Sequence, residues 1–332
     1  VVIGSGGIAV GCAVPGLLAK WTLKSPEGRL ATLLTVPFMN CAAKLPVFAL
    51  LVASFFSEKK ALVMLLITMI SWVGALLVAW GLRSTVIRGE STPFVMELPP
   101  YRLPTLKGLL IHTQERTWQY IKKAGTVILG ISIVLWAMMT FPGLDETQIR
   151  KFEEKRTAIT SGISSRILAD IETLEQEKLK ALELKESLLQ VDLAQAQAAL
   201  KNSIAGRIGT AVEGLTRFAG FDWRTNIALI GGFAAKEVVV STLGIAYSLG
   251  EVNPDDTTSL SDRLKTENDW GPLTAFSLIL FTIFYSPCFV TVVCIAKETG
   301  SWKWSAFSVV FNTTLALAIS ILFYQVGRIV LI

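Results

Sequence analysis

Three of the chain's four cysteines stand beside glycine or proline inside otherwise apolar stretches. Cys12 lies in Gly11-Cys12-Ala13-Val14-Pro15-Gly16, Cys41 in the run from Pro37 through Phe38, Met39, Asn40 and Lys44 to Pro46, and Cys288 in Tyr285-Ser286-Pro287-Cys288. A fourth interruption, Gly231-Gly232-Phe233-Ala234-Ala235-Lys236-Glu237, carries two charges instead of a thiol. Sulfur is a soft ligand and carboxylate a hard one, so the mixture suits a borderline divalent cation such as Fe(II) better than Mg or Ca, which take oxygen alone. The candidate ligands along an ion path are therefore Cys12, Cys41, Cys288 and Glu237, with Met39, Asn40 and Ser286 in secondary positions. Met39 also reads as a packing residue and Asn40 as a partner for broken backbone. Cys294, six residues after Cys288, faces another way on a helix and reads as a small hydrophobe. An uncompensated glutamate in a membrane costs about 2.5 to 3.5 kcal/mol, so Glu237 is expected to be paired or functional. Lys236 points elsewhere on a helix, and Lys44 either repels cations or reaches to the interface, the second reading being preferred.

Other chemistries are excluded by what the chain lacks. With four cysteines, no C-x-x-C pair and one histidine, there is no disulfide framework, zinc finger, iron–sulfur motif or H-E-x-x-H protease site. The glycines Gly4, Gly6, Gly7 and Gly11 lack the lysine and hydroxyl of a phosphate-binding loop. No nucleophile, base and orienting group come together as a set, so an enzyme is not expected, and nothing calls for a nucleic-acid partner.

The elements that must position these residues are apolar helices. Of 332 residues, 52% are hydrophobic and 17% charged, and the mean hydropathy is +0.54; a soluble domain carries roughly a quarter charged residues. Lipid is the implied solvent. A hydrocarbon core of about 30 Å needs roughly 20 apolar helical residues, and windows at 1–19, 31–56, 61–82, 124–141, 273–296 and 304–332 qualify. The apolar segment 226–249 is interrupted by Lys236 and Glu237. Glycine and proline breaks at membrane depth persist only where they are buried in protein or face a watery cavity. Paired breaks in two halves of a chain point to a transport site, and here the breaks near positions 12 and 41 form one pair and those near 237 and 288 another. The chain opens on Val1 inside an apolar run, so its natural start is expected upstream.

Positive residues resist translocation. The stretch 83–123 carries seven Lys and Arg side chains from Arg83 to Lys123 against Glu90, Glu97 and Glu115, and is expected to be cytoplasmic. The acidic stretch 250–272 is expected outside. With the preceding insert also outside, 226–249 must dip in and return as a re-entrant hairpin. Pro93, Pro99, Pro100 and Pro104 make 93–104 an extended linker. Behind it, Leu110, Ile111, Trp118 and Ile121 among basic residues, with His112, resemble a helix lying in the interface. The segment 145–202 is rich in Glu, Lys, Leu, Ala and Gln and reads as a water-exposed helix of roughly 60 Å or a folded-back pair. The expected organisation is a first membrane region over 1–92, a linker and interfacial helix over 93–123, a span over 124–143, a soluble insert over 144–206 and a second membrane region over 207–332. The fold class is all-α: a polytopic membrane helical bundle with broken and re-entrant helices in two halves, plus a soluble helical insert.

With those residues in hand, the chain resembles the membrane part of the bacterial ferrous-iron transport protein B family, FeoB. The resemblance rests on Gly11 to Gly16, Pro37-Phe38-Met39-Asn40-Cys41, the linker Pro93-Phe94-Val95-Met96-Glu97-Leu98-Pro99-Pro100-Tyr101, Ala235-Lys236-Glu237-Val238-Val239-Val240, Tyr285-Ser286-Pro287-Cys288 and Glu298-Thr299-Gly300-Ser301-Trp302, in that order. It implies multi-pass residence in the bacterial inner membrane and uptake of Fe(II) as the transported substrate. Gate regions similar to those of nucleoside-transporter-like folds would form a cysteine-lined path at Cys12, Cys41 and Cys288. It also implies a GTP-binding domain N-terminal to this chain as the place of any GTP, small cytoplasmic Feo accessory proteins, and possible homo-oligomers. Lys20 and Lys44 stand where arginine is common in the family, and the long insert is not universal. Two other readings compete: a nucleoside-type or other small-solute carrier on the same architecture, and a membrane-anchored interaction protein using the insert.

Overall fold

The computed structural model describes residues 26–87, 105–167, 174–247, 258–267 and 269–331. Among them are thirteen α-helices and no strand. The first is α1 (Pro26–Thr35), which ends at a proline: Val36–Phe38 forms a single 3₁₀ turn, Met39 and Cys41 are extended, and a second 3₁₀ turn at Ala42–Lys44 leads into α2 (Leu45–Phe55). Next come α3 (Lys60–Thr85), α4 (Leu106–Thr140), α5 (Glu146–Ile167), α6 (Leu174–Asn202) and α7 (Ile204–Thr216). The last six are α8 (Trp223–Ala234), α9 (Val238–Ala246), α10 (Thr258–Thr266), α11 (Pro272–Phe284), α12 (Phe289–Thr299) and α13 (Trp302–Leu331).

Four stretches are long and apolar enough to cross a membrane: Glu27–Phe55, Lys60–Thr85, Pro272–Thr299 and Trp302–Val330. They coincide with four of the expected spans, and the first and third are each broken in the middle. Burial shows what solvent they require. On α3 only Val63, Ile67, Ser71, Ala75 and Leu82 are buried, a single stripe at helical spacing, while Leu62, Leu65, Met69, Val73, Leu77 and Trp80 are exposed. A helix with so wide an apolar exposed face is at home in lipid, not water. The buried stripe of α13 is Ser305, Ser308, Asn312, Ala316 and Ser320; small and polar side chains at a helix interface let backbones approach where no hydrophobic force operates. Ser320 Oγ donates to Ser277 O at 3.1 Å, Ser277 Oγ to Ala219 O at 2.8 Å and Ser305 Oγ to Val292 O at 2.9 Å, tying α13 to α11, α12 and the turn before α8. The main core runs through Phe38, Phe48, Leu51, Ile67, Phe221, Leu243, Leu278 and Phe284.

One expectation changes in the structure, and one choice left open is decided. The interfacial helix and the span at 124–141 are one uninterrupted helix of 35 residues, because no proline lies between Thr105 and Phe141 and hydropathy does not govern backbone continuity. At 1.5 Å per residue α4 is about 52 Å long and overshoots the hydrocarbon core; its apolar part is Leu129–Thr140, while Leu110, Ile111 and Trp118 on the other part are exposed. The insert is the folded-back pair. Arg156 Nε donates to Asp192 Oδ1 at 3.0 Å and its Nη2 to Gln195 Oε1 at 2.8 Å, joining α5 to α6. Asn202 Nδ2 reaches Gly143 O at 2.9 Å, and Ile204 N reaches Phe141 O at 2.9 Å. Contacts whose two numbers run in opposite directions make the pair antiparallel and bring its base together.

Candidate functional site

Three helix breaks meet around residues 283–289. The first, 36–44, exists because Pro37 supplies no amide hydrogen and the chain cannot continue α1. The third, between α11 and α12, holds Pro287 for the same reason. They touch through the Phe38 and Phe284 rings, 5.9 Å apart, and through Lys44. That side chain is 2% exposed, and its Nζ donates to Pro37 O at 3.2 Å, Met39 O at 3.4 Å and Ile283 O at 3.0 Å. The second break, between α8 and α9, joins the third through Tyr285. Its hydroxyl donates to Leu229 O at 3.2 Å, the Lys236 ammonium sits over its ring at 4.0 Å from the centroid, and the Phe233 and Phe289 rings meet edge to face at 6.0 Å.

The two described cysteines of the candidate path occupy equivalent positions. Cys41 is the N-cap of the turn that leads into α2, with φ −109° and ψ 159°; Cys288 is the N-cap of α12, with φ −61° and ψ 156°. Both are free thiols at intermediate exposure, and Cys288 Sγ lies 3.2 Å from Thr291 Oγ1. Lys44 bridges the first and third breaks through Ile283 O, and Lys236 sits over Tyr285, three residues before Cys288. The structure thus gathers Cys41, Cys288, Lys44 and Lys236 at one place.

The remaining candidates separate. Cys12, Glu97 and the glycines at 4–11 lie outside the described residues, and His112 falls on α4. Glu237 caps α9 and is exposed, whereas Lys236 beside it is buried. Met39 packs in the main core. Asn40 Oδ1 is buried with no hydrogen-bond partner among the described residues, and Ser286 is buried with its Oγ donating to Pro287 O at 3.3 Å. Cys294 packs against the core. Among the described residues, no three His, Cys, Asp or Glu side chains cluster to hold a metal ion. Lys44 is the clearest correction: it does not reach to an interface but turns inward, because three carbonyls released by the breaks offer its three N–H donors a full set of acceptors. Sequence reasoning also missed Lys236, Tyr285 and Ser71, whose Oγ covers Phe38 O at 2.8 Å. The available signal was the number of carbonyls each proline break must leave unpaired.

Comparison with known proteins gives the chain's family. A family model described as "Ferrous iron transport protein B C terminus" matches residues 64–116, and one described as Gate, "Nucleoside recognition", matches residues 121–302. The chain is 34% identical to an "Fe(2+) transport protein A/Fe(2+) transporter FeoB fusion protein" of Porphyromonas gingivalis, over 96% of this chain and 36% of that protein. It is 35% identical to an "Fe(2+) transporter FeoB" of Helicobacter pylori, over 96% of this chain and 47% of that one, and 31% identical to one of Staphylococcus aureus, over 97% and 40%. It therefore spans less than half the length of these curated relatives. No solved structure matches. The chain belongs to the Gate family, in the form found in the C-terminal membrane portion of FeoB.

Proposed function

We propose that this chain forms the permease portion of a ferrous-iron uptake protein of the bacterial inner membrane, crossing it several times. The observation that carries the reading is the meeting of two broken helices with one free thiol, Cys41 or Cys288, at the start of each following helix. Fe(II) that has shed water accepts soft sulfur ligands, and thiols at a helix break face the kind of cavity in which broken backbone survives. Cys12 is the third sulfur of the path, and Glu237, exposed at the start of α9, supplies charge at its mouth. Met39, Asn40 and Ser286 shape the walls of the path. The ion moves from one thiol to the next without a permanent metal site.

The two Gate-like halves are 1–92 and 207–332, separated by the linker, α4 and the insert. Support for the halves comes from the similar breaks at Pro37 and Pro287, each in the middle of a stretch of crossing length. Support for a re-entrant hairpin at 226–249 comes from the hydrogen bond between Tyr247 Oη and Asp222 Oδ2, 3.3 Å, which joins the residues flanking the α8–α9 pair. The stretch 83–123 faces the cytoplasm and 250–272 the outside. GTP acts through a domain N-terminal to this chain and not through its own residues. The fused Fe(2+) transport protein A of the Porphyromonas gingivalis relative supports small accessory Feo proteins as partners, and the assembly is a homo-oligomer in the bilayer. The test is Fe(II) uptake by the full-length protein bearing Cys12→Ser, Cys41→Ser and Cys288→Ser together. Uptake falls at least tenfold; uptake equal to the parent removes the thiols from the path.

A further inference from the structure

We propose that the carbonyls of Pro37, Met39 and Ile283 form a monovalent-cation site whose resident cation is the Lys44 ammonium. Free alkali ions are thereby kept out of the breaks. Carbonyls freed by unwound helices are the groups that coordinate monovalent ions in carriers and in selectivity filters. Here three such oxygens, drawn from two breaks 239 residues apart in sequence, converge on one point at 3.0, 3.2 and 3.4 Å. The point is fully enclosed, since Lys44 is 2% exposed. The neighbouring carbonyl of Phe38 takes Ser71 Oγ instead, so the cradle keeps three oxygens and the ammonium has three donors for them. The three carbonyls are neutral dipoles and match the three donors of one ammonium, which makes the site one for a single charge. The occupancy of the cradle stands on this geometry alone; the exclusion of alkali ions from an ion path rests on the ferrous-iron reading above.

The test uses the full-length protein in detergent, with Lys44→Ala to empty the cradle and the probes propylammonium chloride, KCl and NaCl against choline chloride at equal ionic strength. Propylammonium restores the missing stem and head group, and ligand that binds only the folded state raises the unfolding midpoint with its concentration. The expected result is a saturable rise of the Lys44→Ala midpoint with propylammonium and with at least one alkali ion, none with choline, and no such discrimination in the parent. Where Lys44→Ala does not fold, Lys44→Gln keeps two amide donors and adds an acceptor oxygen, and is read with KCl and NaCl in the same way. A midpoint indifferent to the identity of the cation in the folded variant overturns the proposal. The cysteine substitutions do not touch the cradle, so a parent-like Fe(II) uptake in that experiment overturns the path reading and leaves this result standing.

Discussion

Lys44 and Lys236 are the same side chain, buried in the same region, and truncating their charges has opposite consequences for stability. Lys44 satisfies three carbonyls. Lys44→Met keeps the length of the stem but leaves three buried acceptors unpaired, at about 1 to 3 kcal/mol each. Removing the ammonium returns several kcal/mol of desolvation cost, which offsets part of the roughly 3 to 9 kcal/mol lost at the three acceptors. A destabilisation of about 3 kcal/mol is expected. Lys236 Nζ is buried with no hydrogen-bond partner among the described residues; its visible compensation is the Tyr285 ring at 4.0 Å, worth about 2 kcal/mol when desolvated. Lys44 lies close enough to repel it. Lys236→Met forfeits the ring contact and recovers a desolvation cost of several kcal/mol, so it is neutral or stabilising by about 2 kcal/mol. Thermal unfolding of the two full-length variants in one detergent, followed by tryptophan fluorescence, measures both: the Lys44→Met midpoint drops and the Lys236→Met midpoint holds or rises. If Lys236→Met falls as far as Lys44→Met, the hydrogen-bond accounting at the breaks is wrong. A Lys236→Met protein that is stable yet impaired in Fe(II) uptake assigns that lysine to function, since it then contributes nothing to stability.

The outer part of the α5–α6 hairpin is expected to be dispensable for transport: its base is closed by Asn202 to Gly143 and Ile204 to Phe141, contacts that remain when 146–195 is replaced by a short glycine linker, so Fe(II) uptake stays within about twofold in a vesicle assay, about 0.4 kcal/mol on the barrier. Arg156→Ala, which removes the exposed pair with Asp192, changes the unfolding free energy by less than about 1 kcal/mol. Ser277→Ala strips the donor from Ala219 O in a buried interface and costs about 1 to 3 kcal/mol, read as a lowered midpoint. Gly206→Ala places a Cβ against the backbone oxygens of Leu200 and Lys201, which cannot rotate away, and lowers the midpoint by more than Gly232→Ala, whose added methyl meets only a Val239 side-chain methyl.

What the sequence revealed and what it hid divide along a physical line. The breaks at 37–46, 231–237 and 285–288 were legible because proline and glycine act locally, through a missing amide or a missing side chain. The spans were legible because burial in lipid needs length and apolarity and little else. The choice between a rod and a hairpin over 145–202 was not, since both present the same helical periodicity and only contacts between residues far apart in sequence, such as Arg156 to Asp192 and Asn202 to Gly143, separate them. Lys44 was read as reaching to the interface because a long stem commonly carries its charge to water; Ile283 O, the nearest acceptor at 3.0 Å, comes from the other end of the chain. Lys236 and Glu237 were rightly expected to point apart, yet no pattern could say which of them would turn inward.

The accounting of carbonyls explains why sulfur is the element left to do chemistry here. At the first break, Ser71 covers Phe38 O, Lys44 covers Pro37 O and Met39 O, and the backbone amides of Met39 and Lys44 cover Val36 O and Cys41 O. At the third, Lys44 covers Ile283 O and Tyr285 N covers Phe281 O. The second closes on itself, with Ala235 N to Gly231 O, Val238 N to Ala235 O and Val239 N to Lys236 O, while Tyr285 Oη covers Leu229 O. The carbonyl oxygens named here are thus taken by internal donors, with Asn40 Oδ1 left buried and unpartnered among the described residues, and a hard cation entering the breaks would have to compete with a tethered ammonium for those carbonyls. The thiols of Cys41 and Cys288 are not consumed in this way: they stay free and half-exposed, with a hydroxyl as the only hydrogen-bond neighbour of Cys288 among the described residues. On the ferrous-iron reading proposed above, selectivity for a borderline metal over alkali and alkaline-earth ions would follow from which ligands the fold leaves open, and it is expected to weaken in any variant that restores free carbonyls at Pro37, Met39 and Ile283.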